Sequence, residues 1–289
     1  MASESTWINA PAKINIGLDV LGTREDGYHE VKMIMQTIRL FDRLTLTKKN
    51  YPGVRLMTNL KFLPTDENNL VVKAAKSLIK EFNLTGGLQI QLEKRIPVAA
   101  GLAGGSTDAA STMLAMNSMY DLGLKHSQLM KRAVKLGADI PYCILKGTAL
   151  AEGIGEKLST VPKFPNCTIL IVKPAIHVST KKVYEALDLN ENTYHPDIDG
   201  MLAAMKESDL KGVCELMGNT LESVVVAEHP EITQIKEFLL ESGALGAVMS
   251  GSGPTVFGVF DDNDKATLAK AAALEKFEKT FAFVTSLYR

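Results

Sequence analysis

Apolar residues alternate with polar ones along several stretches of the chain and recur every three or four positions along others, so strands and helices interleave. Residues 8–21, INAPAKINIGLDVL, alternate behind Pro11 and predict a loop entering a strand. Asp26-Gly27 in TREDGYHE marks a turn, and VKMIMQTIRL and DRLTLTKK predict two further strands. Helical spacing over 70–83 predicts a helix, after which LQIQLEKRIPV alternates as a half-buried strand does. A glycine-rich segment comes next, and Ala110, Met113, Leu114 and Asn117 fall at helical steps within a helix over 107–122. The order is strand, glycine loop, helix.

SQLMKRAVKLG (127–137) predicts a short helix with Ser127 as N-cap and Gly137 at its end, which leaves Asp139 in a loop. Two prolines in LSTVPKFPN (158–166) interrupt any regular element and mark a linker, so a domain boundary is expected near residue 160, dividing 1–160 from 161–289. Beyond it come a strand, CTILIVKP, several helical patterns, the strands of ALGAVMSGSGPTVFGVF, a helix over 264–276 and a last strand near FAFVTSL. The fold class is α+β in two domains, with no internal repeat.

At 289 residues, 46% hydrophobic and 22% charged, the chain can bury sizeable cores. Its 32 basic and 33 acidic residues leave a formal charge of -1, which gives no global attraction to nucleic acid or to an anionic membrane. Any anion it binds is held by a local site. Cys143, Cys167 and Cys214 form no CxxC pair and read as reduced thiols in a cytoplasmic protein. The N-terminal MASESTWINAPAK has neither the basic start nor the apolar core of a signal peptide, is too short and acidic for a transit peptide, and no membrane span is expected.

The segment PVAAGLAGGSTD (97–108) places glycines and hydroxyls at a strand-to-helix junction, where free N–H groups and the helix dipole attract phosphate. Taken alone it is either such a cradle or a tight turn. It matches neither GxxxxGK[ST] nor GxGxxG, so no standard nucleotide fingerprint applies. Asp108 beside a phosphate would repel it unless the carboxylate turns away, caps the helix or meets a divalent cation. Lys13 could be a snorkelling surface charge, Asp139 a capping loop carboxylate, and Ser250-Gly251-Ser252-Gly253-Pro254 a plain hairpin turn. His126, His177, His195 and His229 form no metal-ligand pair and read as surface or packing residues.

Together these segments resemble the GHMP kinase family: PAKIN near the N-terminus, the GLAGGSTD loop, and MSGSGPTVF at 249–257. The resemblance extends through APAKINIGLDVLGTREDGYHE, ENNLVVKAAK, KRIPVAAGLAGGSTDAA, LGADIPY and AEGIGE, about residue 8 to 260. It implies a ribosomal-protein-S5-like N-terminal domain and a ferredoxin-like C-terminal domain with the active site in the cleft between them. It implies ATP and Mg²⁺ as cofactors, the metal arriving with the nucleotide and touching Ser106. Asp139 is then the base and Lys13 the charge stabiliser. Asn69, Lys94, Pro97, Gly101, Leu102, Ala103, Gly104, Gly105, Ser106 and Thr107 fall to ATP. DGYH and its spacing from PAKIN imply an acceptor that is a cytidine diphosphate-linked polyol. Tyr28 and Tyr184 would stack on its base, His29 would bind the base edge, and Asn15 and Thr180 the polyol. Asn15 follows Lys13 by two, so in a strand both face one side. Tyr184 could instead be a helix residue facing the core.

The partners expected are small molecules, with no nucleic acid or membrane, and the chain is expected to act as a monomer or homodimer. Other readings are a homoserine- or mevalonate-type kinase and a non-catalytic nucleotide sensor on the same fold. The sensor would need neither Lys13 nor Asp139.

Overall fold

Strands start earlier and run longer than the alternation suggests. The computed structural model, which describes residues 4–288, gives β1 as Ser5–Thr23 and β2 as His29–Lys49. The loop expected before residue 12 is strand, with Pro11 inside it. β8 (Gly218–Asn219) pairs with β1 only at Gly17 and Leu18, so near Pro11 no β8 ladder requires the missing N–H. The two strands expected over 31–49 are one, because Leu40, Asp42, Leu44 and Leu46 keep the inward alternation unbroken past Phe41.

Two compact units share these strands. The first comprises residues 1–12, 40–98 and 103–145; the second comprises 13–39, 99–102 and 146–289. Met1–Ser3 and Arg289 lie outside the described residues, so the N-terminal reading of the sequence is only partly covered.

In the first unit, β3 (Gly53–Thr58) lies parallel to β4 (Gly87–Glu93), and β4 pairs antiparallel with Arg43–Lys49 of β2. α1 (Leu70–Glu81) and α2 (Gly104–Met119) pack together, burying Val71, Ala74, Ala75 and Leu78 of one and Ala109, Ala110, Met113 and Met116 of the other. α1 matches the helix expected, and its N-cap is Asn69, whose Oδ1 accepts the Val71 N–H at 2.9 Å. α2 starts three residues before the expected 107. Ala103 in the left-handed region (φ 54°) accepts the Thr107 N–H at 2.9 Å, closing the first turn around Gly104, Gly105 and Ser106. α3 (His126–Ala133) is capped at Lys125, whose N–H donates to Gln128 Oε1 at 2.8 Å, rather than at Ser127. Asp139 sits in the turn before α4 (Ile140–Leu145).

The second unit carries the rest of β1 and β2. β5 (Thr148–Gly153) pairs antiparallel with β2 and with β6 (Lys157–Thr160), while β8 adds to β1. A second, four-stranded antiparallel sheet follows, built from β7 (Thr168–Lys173), β9 (Gly246–Met249), β10 (Val256–Phe260) and β11 (Phe281–Ser286) in the order β11-β7-β10-β9. That order is the ferredoxin-like one implied by the resemblance. Ile169 to Val172 are all buried, as a central strand covered on both faces requires. α5 (Thr180–Ala186), α6 (Ile198–Lys206), α7 (Leu210–Leu216) and α8 (Glu222–Glu228) precede α9 (Glu231–Glu241), which packs on β9 and β10; α10 (Asn263–Lys276) packs on β7 and β11. No helix of the described residues is long and apolar enough to cross a membrane. Burial pushes the Cys214 thiol up to about 12.

Candidate active site

In the second unit Lys13, the start of the glycine loop and the Ser250–Pro254 segment come together. Lys13 is 5% exposed, and its Nζ donates to Asn15 Oδ1 at 2.5 Å, the neighbouring position on the same face of β1. The Lys13 main-chain N–H donates to Leu102 O at 3.2 Å, which ties the start of the glycine loop to the strand. Ser250 Oγ donates to Gly101 O at 3.0 Å and lies 3.3 Å from the Asn15 N–H, from which it accepts. The Ser250–Pro254 segment is the hairpin turn between β9 and β10, and it also braces the loop and β1.

Gly101 is required here for two reasons. Its φ is +72°, and a Cβ would stand 2.0 Å from Ser250 O, a backbone atom that cannot swing aside. We expect Gly101→Ala to lower stability by at least about 1–2 kcal/mol from the backbone conformation alone, read as a fall in Tm. A Cβ on Gly105 would meet only Leu70 Cδ1, at 3.8 Å, an ordinary contact, and its φ is not positive, so Gly105→Ala should leave Tm unchanged. Equal Tm values for the two variants would contradict this account.

The acceptor candidates fall in the same unit. The Arg24 N–H donates to Tyr28 O at 2.7 Å, Asp26 Oδ1 accepts the Tyr28 N–H at 3.1 Å, and Gly27 supplies φ +80°. This turn holds Tyr28 outward, 59% exposed. His29 packs its ring against Tyr184 with centroids 5.0 Å apart at 39°. Val183, not Tyr184, is the buried residue of α5, so Tyr184 is not a core residue. Thr180 Oγ1 lies 2.7 Å from Ser252 Oγ, which brings α5 to the same hairpin turn.

The first unit holds the other candidates. No side chain caps α2, so the first-turn N–H groups of Gly104, Gly105 and Ser106 remain available, and Gly105 is exposed. This suits the phosphates of a nucleotide. Asn69 spends its side chain on capping, its Nδ2 donating to Pro64 O at 2.9 Å. Pro97 is half-buried and Thr107 buried, with Thr107 Oγ1, Asp108 Oδ1 and Ser111 Oγ lacking partners. Asp139 is half-buried, and among the described residues of its unit its carboxylate has no hydrogen-bond partner. Among the described residues no group of three or more His, Cys, Asp or Glu is placed to hold a metal, and Asp108 faces inward. The Ser106 hydroxyl stands in the first turn of α2.

Lys94 is buried beneath the glycines: a Cβ on Gly104 would meet its Nζ at 3.1 Å. Its ammonium pairs with Asp42 and, at 2.7 Å, with Asp108. Asp42 Oδ1 also accepts the N–H groups of Arg95 and Ile96, at 2.5 and 2.8 Å. Burial pushes Asp108 well above the usual carboxylate range, with the Asp42 charge adding to the effect and Lys94 opposing it. Burial alone would lower Lys94, but Asp108 and Asp42 outweigh it and hold the ammonium above its ordinary value. One cation cannot neutralise two carboxylates. Asp42 accepts two additional N–H groups, whereas Asp108, with its Oδ1 unpartnered, is the carboxyl that burial raises. Asp108 has turned away from the phosphate cradle.

Sequence reasoning missed Asp42, although it shares the inward face of β2 with Leu40, Leu44 and Leu46, and an inward-facing charge demands a partner. It also missed Asp19, whose Oδ1 lies 2.7 Å from His195 Nδ1 and 3.0 Å from Thr220 Oγ1, which donates to it. His195, read as a surface or packing residue, is thus tied to β1.

Comparison with known proteins accords with this arrangement. Two family models match, "GHMP kinases N terminal domain" over residues 69–147 and "GHMP kinases C terminal" over 201–279. The chain belongs to the GHMP kinase family and is an ATP-dependent phosphotransferase. It is 55% identical, over 91% of its length and 90% of the relative's, to a protein of Lachnoclostridium phytofermentans named 4-diphosphocytidyl-2-C-methyl-D-erythritol kinase. Its structure is similar to that of a 4-(cytidine 5'-diphospho)-2C-methyl-D-erythritol kinase, with TM-score 0.83, 31% identity and 97% and 99% of the two chains covered. A homoserine kinase from Cytophaga hutchinsonii is similar at TM-score 0.82 over 99% and 96% of the two chains, but at 20% identity this shows the fold alone.

Proposed function

We propose that the enzyme transfers the γ-phosphoryl group of ATP to the 2-hydroxyl of 4-diphosphocytidyl-2-C-methyl-D-erythritol, in the cytoplasm, as a step of non-mevalonate isoprenoid synthesis. The observation that carries this reading is 55% identity over 91% of the chain to a relative bearing that name. The aromatic arrangement supports it: an exposed Tyr28 on a rigid turn beside a His29–Tyr184 pair suits a flat heterocycle.

Phosphoryl transfer proceeds through a loose, in-line transition state, so the protein mainly positions reactants and stabilises spread charge. Asp139 accepts the proton of the acceptor hydroxyl. Lys13, fixed by Asn15, stabilises negative charge on the phosphoryl oxygens or the developing alkoxide. Gly101 to Thr107 cradle the phosphates, and the Ser106 hydroxyl would hold the Mg²⁺ that arrives with ATP, which would offset phosphate charge. Asn69, Lys94 and Pro97 shape the nucleotide side of the site, Lys94 from beneath. Asn15 and Thr180 hold the polyol. The domains proposed are 1–160, an N-terminal kinase domain with the ATP-binding loop, and 161–289, a C-terminal kinase domain.

The test is an assay of the purified enzyme with ATP and a panel of acceptors: the cytidine diphosphate-linked polyol, homoserine and mevalonate. Turnover is expected with the first alone, and preference for either of the others would refute the specificity. Tyr184→Ala should weaken acceptor binding by about 1–3 kcal/mol, the typical worth of a base–aromatic stack. A raised acceptor KM with an unchanged ATP KM is the signature.

A further inference from the structure

The short strand β8 and the residues after it hold the hairpin turn from behind. Asn219, 2% exposed, donates its side-chain N–H groups to Met249 O and Gly251 O, both at 2.8 Å, and its Oδ1 accepts the Leu221 N–H at 3.0 Å. Glu222 Oε1 accepts the Met249 N–H at 2.6 Å, and its other oxygen pairs with Lys236 of α9 at 2.5 Å. Two side chains from one short segment therefore satisfy three main-chain groups at the entry to the turn. On its other side the turn meets the site, through Ser250 to Gly101 and Asn15 and through Ser252 to Thr180. Both donors and the acceptor of the Asn219 amide are in use. No carboxylate reproduces this, because aspartate would set negative charge against two carbonyl oxygens.

We propose that Asn219 is a positioning residue for phosphoryl transfer: through the Ser250–Gly253 turn it fixes where Gly101 and Asn15 stand. Its effect on rate rests on the phosphotransferase reading above, whereas its effect on the turn does not. Positioning dominates this chemistry, and displacements near 1 Å lower rates by roughly 10²-fold.

The experiment compares Asn219→Asp, Asn219→Ala, Ser250→Ala and the double variant Asn219→Ala with Ser250→Ala, with Ala273→Gly in α10 as a packing control. Turnover should fall on the order of 10- to 100-fold in the Asn219 variants, and the double variant should lose little more than the worse single one, since both act through one turn. Amide exchange at Ser250 and Gly253 should accelerate. Ala273→Gly should lower Tm and keep kcat. An Asn219 variant with kcat within about twofold of wild type, or single losses that multiply in the double variant, would overturn the proposal. If the wild type transfers phosphate to no acceptor, the functional reading fails, and unchanged exchange in Asn219→Ala would separately refute the clamp.

Discussion

Asp139→Asn is expected to lose transfer to any acceptor while melting as the wild type does. The substitution keeps the shape and removes only the charge and the proton-accepting capacity. Among the described residues of its unit the carboxylate makes no hydrogen bond, so replacing it sacrifices no such contact there. Its main-chain O still accepts the Cys143 N–H at 3.2 Å and opens α4 in either variant. The loss therefore falls on the chemical step, roughly 10² to 10⁴ in rate for a general base, with ATP KM little changed. Nearly full turnover in the variant would remove Asp139 from the base role. A large fall in Tm would instead show that the residue is structural.

Much of this was legible before any coordinates. α1 follows from apolar spacing and its Asn69 cap, and the β9–β10 hairpin follows from two apolar runs around Ser250-Gly251-Ser252-Gly253. The site candidates were legible through motif order, because Lys13, Gly101 and Ser250 lie in segments whose residue types are specific. Periodicity said less about extent. The break expected at Phe41 does not occur, and the inward charge beside it, Asp42, finds its counter-charge in Lys94, 52 residues away. α2 begins at Gly104 because Ala103 adopts a left-handed conformation, which local composition does not announce. The interleaving of the units arises from long strands that serve both, and no linker composition encodes that. Asn219 was invisible for a similar reason: its partners are the carbonyls of residues 30 and 32 positions on.

Lys94→Met should be the most destabilising single change in the first unit. It removes the one cation shared by two buried carboxylates, and breaking a buried ion pair from one side costs about 3–5 kcal/mol. Asp42 keeps its two main-chain donors, so the burden falls on buried Asp108, whose Oδ2 loses the Lys94 ammonium. The pH dependence identifies the cause. A carboxyl whose folded pKa is raised binds its proton more tightly in the folded state, so the stability it contributes is complete below its unfolded value of about 4 and declines as pH rises towards the folded one. Asp108 has this sign already in the wild type, and removal of Lys94 raises it further. The Tm deficit of Lys94→Met should therefore be smallest near pH 4 and grow with pH. Adding Asp108→Asn, neutral at every pH, should recover much of the deficit at pH 8 and little at pH 4. A deficit independent of pH, or no recovery in the double variant, would mean that Lys94 acts by packing its stem and not by neutralising the pair. Catalysis offers a second readout, because the strut holds the first turn of α2 rather than the nucleotide itself. The double variant should regain turnover together with Tm, whereas a lysine that touched phosphate directly would leave turnover depressed after stability returned.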